Sequence, residues 1–138
     1  MSEFHRVTQR FSVAPQLAPE DMAAAAQQGF VRVVCNRPDS EGPGQPSGGA
    51  IKAAAQAAGL EFVHIPFAGM PDAATADAVF AAVSEAPGPV LASCRSGTRS
   101  VTAWALGSLR AGDHDREALV ALAAGAGYDL SAVLPRPM

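Results

Sequence analysis

Basic residues never cluster in this chain. Ten Lys and Arg stand against thirteen Asp and Glu, a formal net charge of -3, and no positive stripe is present of the kind that nucleic acid or an anionic membrane surface would require. Long apolar runs are missing too. None approaches the roughly 20 residues of a membrane span, and Met1 to Arg6 lacks the apolar core of a signal peptide, so a cytoplasmic location is expected. The histidines His5, His64 and His114 are scattered without paired spacing, so no metal site is expected and no cofactor is called for. His64 falls in an apolar run and is expected to be a core or inter-strand histidine. Cysteine is scarce: Cys35 and Cys94 are too few for a disulfide scaffold, and a reducing compartment leaves both free for chemistry.

What is present is an alternation of strand and helix signals in 138 residues, nearly half of them hydrophobic, enough for one domain with a sizeable core spanning the whole chain. Strands are expected at Phe11 to Ala14, Phe30 to Cys35, Glu61 to Ile65 and Pro89 to Ser93. Helices are expected from Pro19 to Gln28, from Ala50 to Ala58, around Val79, Phe80 and Val83, from Arg99 or Ser100 to Arg110, and from Asp115 to Ala124. The tail from Tyr128 to Met138 is expected to dock loosely and to fray at its end. Repeated strand-helix units imply an α/β domain, a parallel-core sheet of about four to five strands flanked by helices. Ligand sites in such sheets lie beyond the C-terminal ends of the strands. Cys94, the long loop from Asn36 to Gly49 and the turn from Phe67 to Asp72 all fall there, so three loops should converge on one pocket.

The chemistry is concentrated in Cys94-Arg95-Ser96-Gly97-Thr98-Arg99-Ser100, between the last strand and a helix. A cysteine facing a helix N-terminus, with Arg95 and Arg99 beside it, is favoured as a thiolate, because unpaired amides and the positive end of the dipole attract negative charge. Positions of this kind lower a thiol's pKa from about 8.5 toward roughly 3.5 to 7.5, which makes Cys94 the expected nucleophile. The reading requires that Cys94 be reachable and that the loop amides turn inward. Arg99 would orient an anionic substrate and Arg95 would attract it, while the N-H groups of Ser96, Gly97 and Thr98 would cradle the transferred atom. Ser100 either hydrogen-bonds the thiolate or simply starts the helix.

Four residues separate Cys94 from Arg99, a C-x-x-G-x-R loop. This resembles the active-site loop of rhodanese-type sulfurtransferases, whereas cysteine phosphatases place five residues there. A tighter ring of donors suits one sulfur atom better than a phosphoryl group. The expected activity is therefore sulfur transfer, in which Cys94 takes a sulfane sulfur from a small anionic donor, becomes a persulfide and hands the sulfur to a thiol acceptor. The alternative is a cysteine-dependent phosphatase. It would need a general acid, for which Asp72 is the first candidate, despite its helix-capping context, and Asp39 the second. Arg37 and Asp39 either line the anion site or form a structural pair in its wall. Cys35 is expected to be a packed strand-end cysteine, with a resolving or disulfide-forming role as the alternative.

Taken together, Ser12-Val13-Ala14-Pro15-Gln16, Asn36-Arg37-Pro38-Asp39 and Cys94 to Ser100 followed by Trp104-Ala105-Leu106 resemble the phosphatase-like domain of β-lactamase-hydrolase-like proteins, over Phe4 to Leu134. The resemblance implies a dual-specificity-phosphatase fold carrying a rhodanese-length loop. It also implies an association with a metallo-β-lactamase-fold partner similar to persulfide dioxygenases.

Overall fold

The computed structural model describes residues 4–135. The elements run β1 (His5–Thr8), β2 (Phe11–Ala14), α1 (Asp21–Gln27), β3 (Arg32–Cys35), α2 (Gly48–Ala57), β4 (Glu61–His64), α3 (Ala73–Ser84), β5 (Val90–Ser93), α4 (Thr98–Ala111) and α5 (Arg116–Gly125). One five-stranded sheet has the order β1-β2-β5-β3-β4. The pairs β2–β5, β5–β3 and β3–β4 are parallel, as the strand-helix alternation requires. The pair β1–β2 is antiparallel, a hairpin that the sequence pattern did not show. In β1 only Val7 is buried, so this edge strand has no apolar alternation to mark it.

The central strands are apolar on both faces because helices cover both. Leu91 and Val33 point into a cluster with Leu17, Met22, Ile51 and Leu60, under α1 and α2. Their neighbours Ala92 and Val34 point the other way, to Val79, Val101, Trp104 and Leu119 of α3, α4 and α5. Truncating a fully buried residue such as Leu91 or Leu119 to Ala would cost on the order of 2–5 kcal/mol. Helices α3 and α4 approach backbone to backbone at Gly107, where a Cβ would overlap the Ala76 carbonyl.

The tail departs from the loose docking expected of it. Leu130 and Leu134 are buried, and Arg116 donates to the Ser131 and Leu134 carbonyls. The end of the tail, residues 136–138, lies outside the described residues. Of the two places expected for His64, the inter-strand one holds: it is exposed rather than part of the core, in register with Cys35 across β3–β4, with Nε2 3.2 Å from the Arg37 carbonyl. Among the described residues no helix is long and apolar enough to cross a membrane.

Candidate active site

Cys94 follows β5, the middle strand of the sheet. The chain then turns through Gly97, whose φ of 93° is left-handed, and enters α4 at Thr98. The helix begins one or two residues earlier than its apolar spacing predicts, so Arg99 sits in its first turn. Its N-cap is Gly97, which has no side chain to cap the first turn, the kind of helix start at which amides can meet an anion. The Gly97 N-H points inward and donates to Cys94 Sγ at 3.0 Å. The Thr98 N-H instead meets Ser96 Oγ at 3.4 Å.

Cys94 is closed off from solvent, so the reachability that its expected role requires is not met in this arrangement. Cys94 is only 1% exposed, because it starts the loop at the end of a strand covered on both faces. Beside it, Arg99 is held by three hydrogen bonds. Its Nη1 donates to Glu41 Oε2 at 2.9 Å and to the Phe67 carbonyl at 2.9 Å, and its Nη2 donates to Glu41 Oε1 at 2.6 Å. The three expected loops therefore do meet, with Arg99 as the junction between the β3–α2 loop, which carries Glu41, and the turn after β4.

Glu41 is the part of the site that the sequence reading passed over. It accepts from both Arg99 and Arg37, and its carboxyl falls to about 2, first through the Arg99 hydrogen bond. Arg37 donates from Nε to Glu41 at 3.0 Å and from Nη1 to Gln16 Oε1 at 3.1 Å. Its partner is thus Glu41 rather than Asp39, which makes the structural pair one between Arg37 and Glu41. Asp39 accepts from the Gly48 N-H at 2.7 Å, at the start of α2.

Asp72 caps α3, accepting from the Thr75 N-H at 2.8 Å. That bond holds its carboxyl below the usual carboxylate range, the wrong direction for a general acid at neutral pH. Ser100 is also committed elsewhere. Its Oγ donates to Asn36 Oδ1 at 2.8 Å, while Asn36 Nδ2 donates to the Ile65 carbonyl at 3.0 Å. Both Ser100 and Asn36 are fully buried. The hydroxyl has one proton and Asn36 takes it, so Ser100 supports the loop rather than donating to the thiolate.

Arg95 is exposed, suitably placed to attract an anion. Cys35 is buried and its thiol is pushed up, mainly by that burial. Among the described residues no three His, Cys, Asp or Glu are grouped as a metal site needs. A cleft of about 440 Å3 lined by Thr8, Arg10, Phe80, Trp104 and His114 includes none of the Cys94 loop. The cysteine and arginine that the sequence singles out are at the loop, and the candidate site is placed there.

The five-stranded, mostly parallel sheet covered by helices, with Cys94 at the tip of its middle strand, has the fold of cysteine phosphatases. Solved structures agree. A Neisseria meningitidis protein described as a candidate phosphatase matches with a TM-score of 0.80 and 30% identity, over 91% of this chain and 89% of that one. Tk-PTP matches with a TM-score of 0.70 and 21% identity, over 90% and 84%, a likeness of fold alone. The chain belongs to the family of β-lactamase hydrolase-like protein phosphatase-like domains, whose model matches residues 3–111. The β-lactamase hydrolase-like protein of Agrobacterium fabrum is 37% identical over 129 residues, 92% of this chain and 30% of the relative. That of Xylella fastidiosa is 32% identical over 125 residues, 90% and 29%. The chain therefore spans less than a third of these relatives' length.

Proposed function

We propose that this domain hydrolyses phosphate monoesters through a phosphocysteine on Cys94. The observation that carries the reading is a glycine-capped helix start with the Gly97 N-H on the Cys94 sulfur and Arg99 one residue inside it, on a fold that the Neisseria candidate phosphatase shares. The comparisons thus favour the phosphatase alternative over the sulfur transfer expected from loop length. In the reaction the Cys94 thiolate attacks phosphorus, the P–O bond breaks and the alcohol or phenol oxygen departs. Water then cleaves the S–P bond, releasing phosphate and restoring the thiolate. Arg99, released from Glu41, and the loop amides would hold the phosphoryl oxygens. Because Asp72 is engaged as a cap, the leaving oxygen has no evident proton donor, and esters with acidic leaving groups should react fastest.

A second reading, sulfur transfer, is favoured by two observations. The loop has four residues between Cys94 and Arg99, and both candidate acids, Asp72 and Asp39, are bound at helix starts. Attack of the Cys94 thiolate on the outer sulfur of thiosulfate breaks the S–S bond and releases sulfite, an anion that needs no proton. A thiol acceptor then takes the sulfur from the Cys94 persulfide. A persulfide-consuming metallo-β-lactamase-fold protein would be a fitting partner.

Parallel assays separate the two. Phosphatase action predicts release of an acidic phenol from its phosphate ester, lost in Cys94→Ser, with no thiocyanate formed from thiosulfate and cyanide. Thiocyanate without phenol release would replace the first reading with the second.

A further inference from the structure

We propose that Tyr128 is a positioning residue for Cys94: its hydroxyl locks the Ser96–Gly97 peptide, the plane whose other end points at the nucleophilic sulfur. Tyr128 Oη donates to the Ser96 carbonyl at 2.9 Å, and the Gly97 N-H donates to Cys94 Sγ at 3.0 Å. These are the two ends of one planar unit, so fixing the carbonyl fixes the N-H. The restraint matters because residue 97 is a glycine at positive φ, the backbone type with the most freedom to rotate. A flip of this peptide would turn a carbonyl lone pair toward the thiolate in place of a donor. The tyrosine also polarises the amide through the same peptide, strengthening the bond to sulfur.

The fit of the two residues is close. A Cβ on residue 97 would overlap the Tyr128 hydroxyl, so glycine leaves the space that the phenol fills. Tyr128 is itself well held. Gly127, at φ 97°, turns the chain off α5, and the Tyr128 N-H bonds the Ala123 carbonyl at 2.8 Å. The His5 ring stands edge-on at 5.8 Å, and Leu130 is buried two residues on. Residue 128 lies beyond the part of the chain that the family model matches. The inference rests on Cys94 being the nucleophile, but not on which group it transfers.

The test is iodoacetamide alkylation of Cys94, mapped by peptide mass, against pH in wild type and Tyr128→Phe. The ring and its packing remain, and only the hydroxyl goes. Arg99 and Cys35, which act electrostatically on the sulfur, and His5 are the same in both proteins. The midpoint should move up by about one pH unit, so that alkylation well below the midpoint slows roughly tenfold while the high-pH plateau is unchanged. As a second readout, the Gly97 amide resonance should follow the Cys94 titration in wild type and lose that response in Tyr128→Phe. Identical midpoints and an unchanged Gly97 response would overturn the proposal, leaving Tyr128 as packing only. If Cys94 in wild type is not alkylated below pH 8, the nucleophile reading itself fails, a distinct outcome.

Discussion

The Glu41 carboxylate lies across the Arg99 guanidinium, Oε1 2.6 Å from Nη2 and Oε2 2.9 Å from Nη1. This is the bidentate geometry in which an arginine takes a phosphate or sulfate. Glu41 therefore occupies the place an anionic substrate would claim, and binding must displace it. In Glu41→Gln, inorganic sulfate should bind roughly tenfold more tightly by calorimetry, because a competing anion has become a neutral amide. Equal or weaker binding would mean that Glu41 orients Arg99 rather than blocking it.

The same pair has a defined pH signature. The Glu41 carboxyl is depressed from 4.5 to about 2 by Arg99 and Arg37. A depressed acid stabilises the fold above its unfolded value and loses that contribution as pH falls toward its folded value. The difference in melting temperature between wild type and Glu41→Gln should therefore be constant above about pH 5 and shrink from about 4.5 toward 2. A difference that grows in that window would have the wrong sign.

Ser100→Ala removes the proton that Asn36 Oδ1 receives in a fully buried site. Urea unfolding should show a loss of about 1–3 kcal/mol, the cost of a stranded buried acceptor. The pH midpoint of Cys94 alkylation should hardly move, because the hydroxyl is directed away from the sulfur.

Asp72→Ala should act on stability before chemistry. Loss of the Thr75 cap lowers the melting temperature by about 3 °C, the scale of an N-cap deletion. Turnover of an ester with an acidic phenol should fall less than twofold, whereas a general acid in that position would be worth about 10²-fold or more.

Both cysteines are buried, so the contrast expected is one of protonation: once the site opens, iodoacetamide at pH 7 should label Cys94 and spare Cys35, whose thiol is pushed up and remains protonated. Labelling of Cys35 first would reverse the assignment of roles to the two cysteines.

The Cys94 loop was legible because its strand, glycine, arginine and helix are contiguous, and each residue type has a local physical reason to be there. The two-faced sheet was legible because Val33-Val34 and Leu91-Ala92 are apolar without alternation. Glu41 could not be singled out: within a loop of three prolines and four glycines it looked like one charge among several, and its meaning comes from Arg37 and Arg99 folding onto it. A signal existed in the Arg37–Glu41 spacing, a single turn's reach. Tyr128 had no signal at all, since its contact with Ser96 depends on how the chain leaves α5. Asp72 was legible both as a cap and as an acid, and the Thr75 bond shows the cap.

Intact-mass analysis of the protein mixed rapidly with an aryl phosphate, and separately with thiosulfate, tests the central claim most directly. The account predicts one covalent adduct, a phosphoryl group in the first mixture, or a single sulfur in the second if the transfer reading holds, mapped to the Cys94 peptide and absent from Cys94→Ser. Turnover that persists in Cys94→Ser, or an adduct on any other residue, would contradict it.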